Sequence, residues 1–201
     1  MGRPKEHDES VRVALLAAAE RLVDTAGPAA LSVRAVADEV GTTTRAVYSL
    51  FGSKAGLLEA LAIHLFELLG AAIDSIELTE DPAGDVVSAA VEGFRRVAVS
   101  HASLYNLVFL QVVPDLALSP AFGAMAGQAF GRLELLVDRL PVGTRAGTRA
   151  GSPSGQNAAQ MVHALTEGLA NMELRGSFGS PADAEATWRA AVTALVRGIT
   201  E

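Results

Sequence analysis

Three features of the sequence predict an all-α protein. Apolar residues recur at helical spacing in segment after segment, and no segment alternates convincingly with period two. The composition agrees, with 37 Ala and 19 Gly among 201 residues, 50% hydrophobic residues and only 5% aromatics. Small and straight side chains favour closely packed helices, whereas strands draw on Tyr, Phe, Ile and Thr. With half the chain apolar, burial can offset the ordering entropy, which argues against disorder.

The elements follow in order. A first helix opens after Asp8 or Ser10, carries Val11, Leu15, Ala18, Leu22 and Val23, and stops at Gly27-Pro28. Ser32 caps a short second helix over 33–40 that Gly41 ends. Thr43 caps a third, to about Leu50, and Ser53 caps a long fourth through Leu57, Leu61, Leu65 and Leu69 to about Ile76. Asp81-Pro82 starts a fifth, with Pro in its tolerated first-turn position, running to about Ser100. A shorter helix from about Ser103 to Val112 is closed by Pro114, and Ser119-Pro120 opens another that ends near Leu140-Pro141. The tandem Gly-Thr-Arg-Ala segment from Gly143 to Gly155 has no apolar face and reads as a flexible loop; a basic arm is the weaker reading, since only Arg145 and Arg149 are charged. Two one-sided helices finish the chain. The first carries Ala158, Met161, Leu165, Leu169 and Met172 and ends at Gly176. The second follows the capping-box-like Ser180-Pro181-Ala182-Asp183 and carries Trp188, Ala191, Val192, Leu195 and Ile199.

Composition narrows the function. With no Cys, the chain has no disulfide framework, Cys-ligated metal or thiol nucleophile, which suits a reducing compartment. The first nine residues lack the apolar stretch of a signal peptide, and no run of about 18 apolar residues occurs. A soluble, cytoplasmic protein without a membrane partner is therefore expected. No P-loop, Gly-x-Ser-x-Gly, Ser-x-x-Lys or His-Glu-x-x-His pattern is present, and His7, His64, His101 and His163 are scattered, so no enzyme is expected. A formal charge of −7 argues against nucleic acid only until it is divided by position. Residues 1–60 hold 7 Lys/Arg against 8 Asp/Glu, and residues 61–201 hold 9 against 15. The acidity belongs to the second part.

The most informative stretch is 33–51. Two short helices can cross tightly only where the residue at the crossing is small, as Ala37 is, and the turn between them needs the positive-φ tolerance of Gly41. Val36, Val40, Val47 and Leu50 then face a shared core. This is a helix-turn-helix, whose second helix enters the DNA major groove and presents its N-terminal residues, here Thr43, Thr44 and Arg45, to base edges. Tyr48 lies one turn on, placed for a phosphate. Lys54, beside the cap of the next helix, can meet another together with free backbone N–H groups. Residues 41–58 contain Arg45 and Lys54 and no acid. Ser32 and Arg34, at the head of the second helix, complete the candidate DNA contacts, and Arg3 and Lys5 in a flexible tail could reach an adjacent groove.

These residues resemble the TetR family of transcriptional regulators. Gly41, Thr42, Thr43, Tyr48, Phe51, Lys54 and Leu57 align with its Gly-Val-Ser-x-x-x-x-Tyr-x-x-Phe-x-x-Lys-x-x-Leu signature. Thr42 for Val and Thr43 for Ser depart from it, the second keeping the cap hydroxyl. The likeness is specific over about residues 10–60 and architectural beyond. The segment from His163 to Leu174, followed by Trp188, is similar to a subgroup with a Trp-His-Gly signature at Gly168, Glu173 and Leu174, whereas His163 and Glu167 stand where Trp and His would be.

The resemblance implies a three-helix DNA-binding domain over 1–56 and a helical effector-binding and dimerisation domain over 57–201. It also implies a homodimer through the last two helices, a near-palindromic operator in double-stranded DNA, a small-molecule effector and the role of a ligand-responsive repressor. Phe94, Tyr105, Phe109, Phe130, Met161 and His163 are candidate effector contacts, with Gln111, Gln128 and Glu167 as further polar anchors. The His163/Glu167 and His64/Glu67 spacings resemble metal ligands but lack a third, so neither metal nor cofactor is expected. The alternative is a helical small-molecule-binding protein that has lost or weakened its specific DNA binding.

Overall fold

Helix α1 spans Lys5–Ala26, opening before both Asp8 and Ser10, because nothing from residue 5 onward interrupts a helix. Lys5 is thus helical rather than part of a tail. The computed structural model describes residues 5–109, 119–141 and 155–201. Arg3, the side chain of Lys5, Gln111 and most of the Gly-Thr-Arg-Ala segment, with Arg145 and Arg149, lie outside the described residues. A 3-10 turn, Pro28–Ala30, leads to α2 (Val33–Val40), α3 (Thr44–Phe51) and α4 (Lys54–Asp74). Helix α4 ends two residues before its expected limit, where the Ser75 hydroxyl donates to the Ala72 carbonyl at 2.8 Å.

Helix α5, residues 82–100, is not the uniform α-helix its periodicity predicts. It starts as α-helix over Pro82–Ser88, widens to a π-helix over Ala89–Arg95 and resumes over Arg96–Ser100. From the widened turn Glu92 meets Arg189 at 3.2 Å, and Arg95 meets Glu173 at 2.8 Å and Glu185 at 3.5 Å. Helices α6 (Ala102–Phe109), α7 (Pro120–Val137), α8 (Gly155–Leu174) and α9 (Pro181–Thr200) complete the described chain. No strand occurs among the described residues.

The chain forms two compact units, 1–66 with 101–126, and 67–100 with 127–201. The first buries Leu15, Ala18, Ala19, Val36, Val47, Leu57, Leu61 and Leu65 completely or almost so. Helix α6 belongs to this unit: Leu104, Tyr105 and Leu107 are buried, and His101 at its head pairs with Glu20 of α1. The second unit is built around Trp188, fully buried, whose indole N–H donates to Glu173 Oε2 at 2.8 Å. Arg95 grips the same carboxylate with two N–H groups, at 2.9 and 2.8 Å, so one acid satisfies donors from two helices. Among the described helices, α4 alone is long and apolar enough to cross a membrane by length and composition, with mean hydropathy 1.7 over its most apolar window. Half of that window is buried within the protein, as in a core helix.

Candidate nucleic-acid interface

The interface begins with three caps. Each of α2, α3 and α4 leaves its first N–H groups without an intrahelical acceptor, and each is preceded by a hydroxyl residue. Ser32 accepts from Ala35 N–H at 3.1 Å, Thr43 from Ala46 N–H at 3.2 Å and Ser53 from Gly56 N–H at 3.0 Å. All three follow from local sequence, because capping depends on residues three apart.

Between α2 and α3 the chain turns on Gly41, at φ 69 and ψ 32, and its N–H closes onto the carbonyls of Ala37 and Asp38. Any L-residue with a Cβ is strained there. Ala37 and Val36 below it are 1% and 0% exposed, and Val47 of α3 is 0% exposed. Val40 and Leu50, expected in the same core, are only half-buried.

With Val47 pinned inward, the outer side of α3 is determined. Thr43, Thr44, Arg45 and Tyr48 are exposed, Tyr48 at 52%. Lys54 is exposed at the head of α4. Among the described residues no carboxylate pairs with Arg45 or Lys54, so both cations face solvent with their charge uncompensated. Arg34 differs: its exposed guanidinium lies 3.8 Å from Asp38 one turn on, which offsets part of its charge. On the other flank of α2, Glu39 is held by Arg21 of α1 at 3.4 Å. The acids of α2 are therefore engaged with basic neighbours, and the surface from 41 to 58 remains purely cationic.

The corner between α3 and α4 is a feature that sequence reasoning passed over. Gly52, at φ 73 and ψ −45, centres a γ-turn in which Ser53 N–H donates to the Phe51 carbonyl at 2.8 Å. That carbonyl then lies against Gly56, where an added Cβ would stand 1.9 Å from the Phe51 oxygen. The only sequence signal was the Gly-x-x-x-Gly spacing of positions 52 and 56.

The six candidate effector residues are placed on several helices. Tyr105 and Phe109 stack in the first unit with ring centroids 4.5 Å apart, and Phe109 also packs on Phe66 at 5.8 Å. In the second unit Phe94 lies 6.3 Å from Trp188, and Phe130 meets the His163 ring edge-on at 5.6 Å. Met161 is 43% exposed on α8, and His163 pairs with Glu167 at 3.1 Å. Three open grooves of the second unit, of about 350, 380 and 250 Å³, are lined by residues other than these six. The polar centres Arg95–Glu173–Trp188 and Asp85–Arg139 carry no local signal, since their members are far apart in the chain. Among the described residues no group of three or more acids or imidazoles is placed to hold a metal ion.

Residues 15–61 match the family model of bacterial regulatory proteins, tetR family, and residues 87–195 match that of the tetracyclin repressor-like C-terminal domain. Among solved structures, the chain is similar to a transcriptional regulator from Rhodococcus sp. Rha1, with TM-score 0.68 and 20% identity over 94% of this chain and 95% of that one. It is also similar to the TetR family transcriptional regulator PfmR from Thermus thermophilus, with TM-score 0.63 and 21% identity over 93% and 99% of the two chains. A third is NalD, the secondary repressor of the MexAB-OprM multidrug efflux pump in Pseudomonas aeruginosa, with TM-score 0.63 and 22% identity over 98% of each chain. At such identities the likeness is one of fold. No curated protein matches the chain.

Proposed function

From the premise that the chain belongs to the tetR family of bacterial regulatory proteins, we propose that it is a cytoplasmic, homodimeric repressor released from its operator by a small molecule. The observation that carries this reading is the capped α2–turn–α3 unit, with the cap Thr43 and Thr44, Arg45 and Tyr48 of α3 exposed and a purely cationic surface from 41 to 58. Arg45 suits guanine, and the threonines suit base edges or thymine methyls. Tyr48 and Lys54 engage phosphates, Lys54 together with the first N–H groups of α4. Ser32 and Arg34 flank them at the head of α2. Residues 1–56 are the DNA-binding domain on this reading, and 57–201 bind effector and pair the subunits.

Pairing through α8 and α9 is supported by what those helices leave uncovered. Met161, Ala164, Gly168 and Met172 are exposed along one side of α8, and Ala190, Ala194 and Gly198 along one side of α9. Such faces permit close helix–helix approach in a four-helix bundle of two subunits. A two-fold dimer presents its recognition helices about 34–36 Å apart and so asks for a near-palindromic site. An effector acts by binding the released state more tightly than the DNA-bound one.

The test starts from a randomised pool of duplexes selected with the wild-type protein. Anisotropy titrations on the selected duplex across a salt series are then compared with the double variant Tyr48→Phe/Lys54→Ala. Uniformly weaker binding and a salt slope shallower by about 1 are expected from the lost lysine contact. Equal affinity and equal slope would remove the roles given to these two residues.

A further inference from the structure

The α3–α4 corner joins the two halves of the proposed interface: Tyr48 lies before it and Lys54 after it. Its shape depends on two glycines in different ways. Gly52 supplies the positive φ that closes the γ-turn and turns the Phe51 carbonyl toward the first turn of α4. Gly56 supplies the space that this carbonyl then occupies; with a Cβ 1.9 Å from a backbone oxygen, the corner has to open. No flexible side chain could yield instead, because the obstacle is main chain. The same turn of α4 carries the Ser53 cap, whose hydroxyl accepts from Gly56 N–H at 3.0 Å, so displacing Gly56 also disturbs the cap that orients the head of the helix.

We infer that Gly56 is a positioning residue for DNA binding: it lets the γ-turn at Gly52 close against α4 and so sets where Lys54 and the first N–H groups of α4 stand relative to α3. The inference rests on the DNA-binding reading above and adds to it a residue that touches no DNA. Its consequence is coupling. In the native corner Lys54 reaches its phosphate, and with the corner opened it does not, so removing the lysine should then cost little more.

The experiment is a double-mutant cycle on the full-length protein with Gly56→Ala, Lys54→Ala and the pair, titrated against the duplex selected by the wild type and against a scrambled duplex. Gly56→Ala is expected to weaken binding to both and to lower the salt slope by about 1. Lys54→Ala added to it should change neither affinity nor slope appreciably, whereas an independent pair would add. A merely destabilised protein lowers the active fraction without changing the slope, and thermal unfolding reads that separately. Full additivity, or an unchanged slope in Gly56→Ala, overturns the inference. If Gly56→Ala does not fold, Gly52→Ala, which opens the same corner through its φ, is read by the same two criteria. Failure of the wild type to enrich any duplex would instead overturn the DNA-binding reading itself.

Discussion

Asp85 shows how much one side chain can decide. It is 3% exposed, yet it accepts from Thr79 N–H at 2.9 Å and from the Thr79 hydroxyl at 2.8 Å, and it pairs with Arg139. Thr79 N–H foremost, with Arg139 and the Thr79 hydroxyl, holds its carboxyl below the usual carboxylate range, against the desolvation that pushes it up. Because the folded-state value is depressed, the stabilisation is present above the unfolded value and is lost as pH falls through the folded one. In urea unfolding followed from neutral pH into acid, Asp85→Asn should be less stable near neutrality. Below about pH 4 it should lose less further stability than the wild type does. Parallel curves would mean that Asp85 carries no such proton linkage. Local sequence showed Asp81-Pro82 as the start of α5 but not this triad, because Arg139 lies 54 residues from Asp85.

At the scale of the element, caps and turns were the most legible features, since each is a contract among neighbours in the chain. Ser32, Thr43, Ser53 and Ser180 all accept the helical N–H three residues on. Ser180 does more than a simple cap: its hydroxyl also donates to Asp183 at 2.7 Å. Thr43→Ala should cost about 1 kcal/mol in thermal or urea unfolding, the usual worth of a hydroxyl cap. The same substitution should weaken operator binding, because Thr43 both starts the recognition helix and lies on its outer side. Unchanged stability would show the cap to be dispensable. The π-helix over Ala89–Arg95 was not legible. Its apolar spacing passes for an α-helix, and the charged groups that it presents, Glu92 and Arg95, find their partners on α8 and α9.

At the scale of the whole molecule, the uneven charge and the uncovered faces of α8 and α9 bear on assembly. A near-neutral first part within a chain of −7 leaves DNA contact to a few placed groups rather than a broad basic field. Binding on the proposed reading should then be specific and strongly weakened by salt. Gly168 faces open space, so a side chain there is tolerated within one subunit. Gly168→Glu should leave helix content intact but yield monomers in sedimentation velocity, with operator affinity falling together with the dimer. A variant that remains dimeric would move the subunit interface away from α8.

The sequence alone determined the all-α class, the order of helices, four caps and the turn at Gly41, because each depends on residues within about one helical turn of each other. It also determined which residues of α3 face outward, once Val47 faces in. Tertiary structure decided what joins distant parts of the chain. It placed α6 with the first unit through Leu104, Tyr105 and the His101–Glu20 pair, set Glu173 between Arg95 and Trp188, and brought the Phe51 carbonyl against Gly56. Such contacts depend on where whole helices come to rest as buried surfaces pack. No periodicity along the chain encodes that.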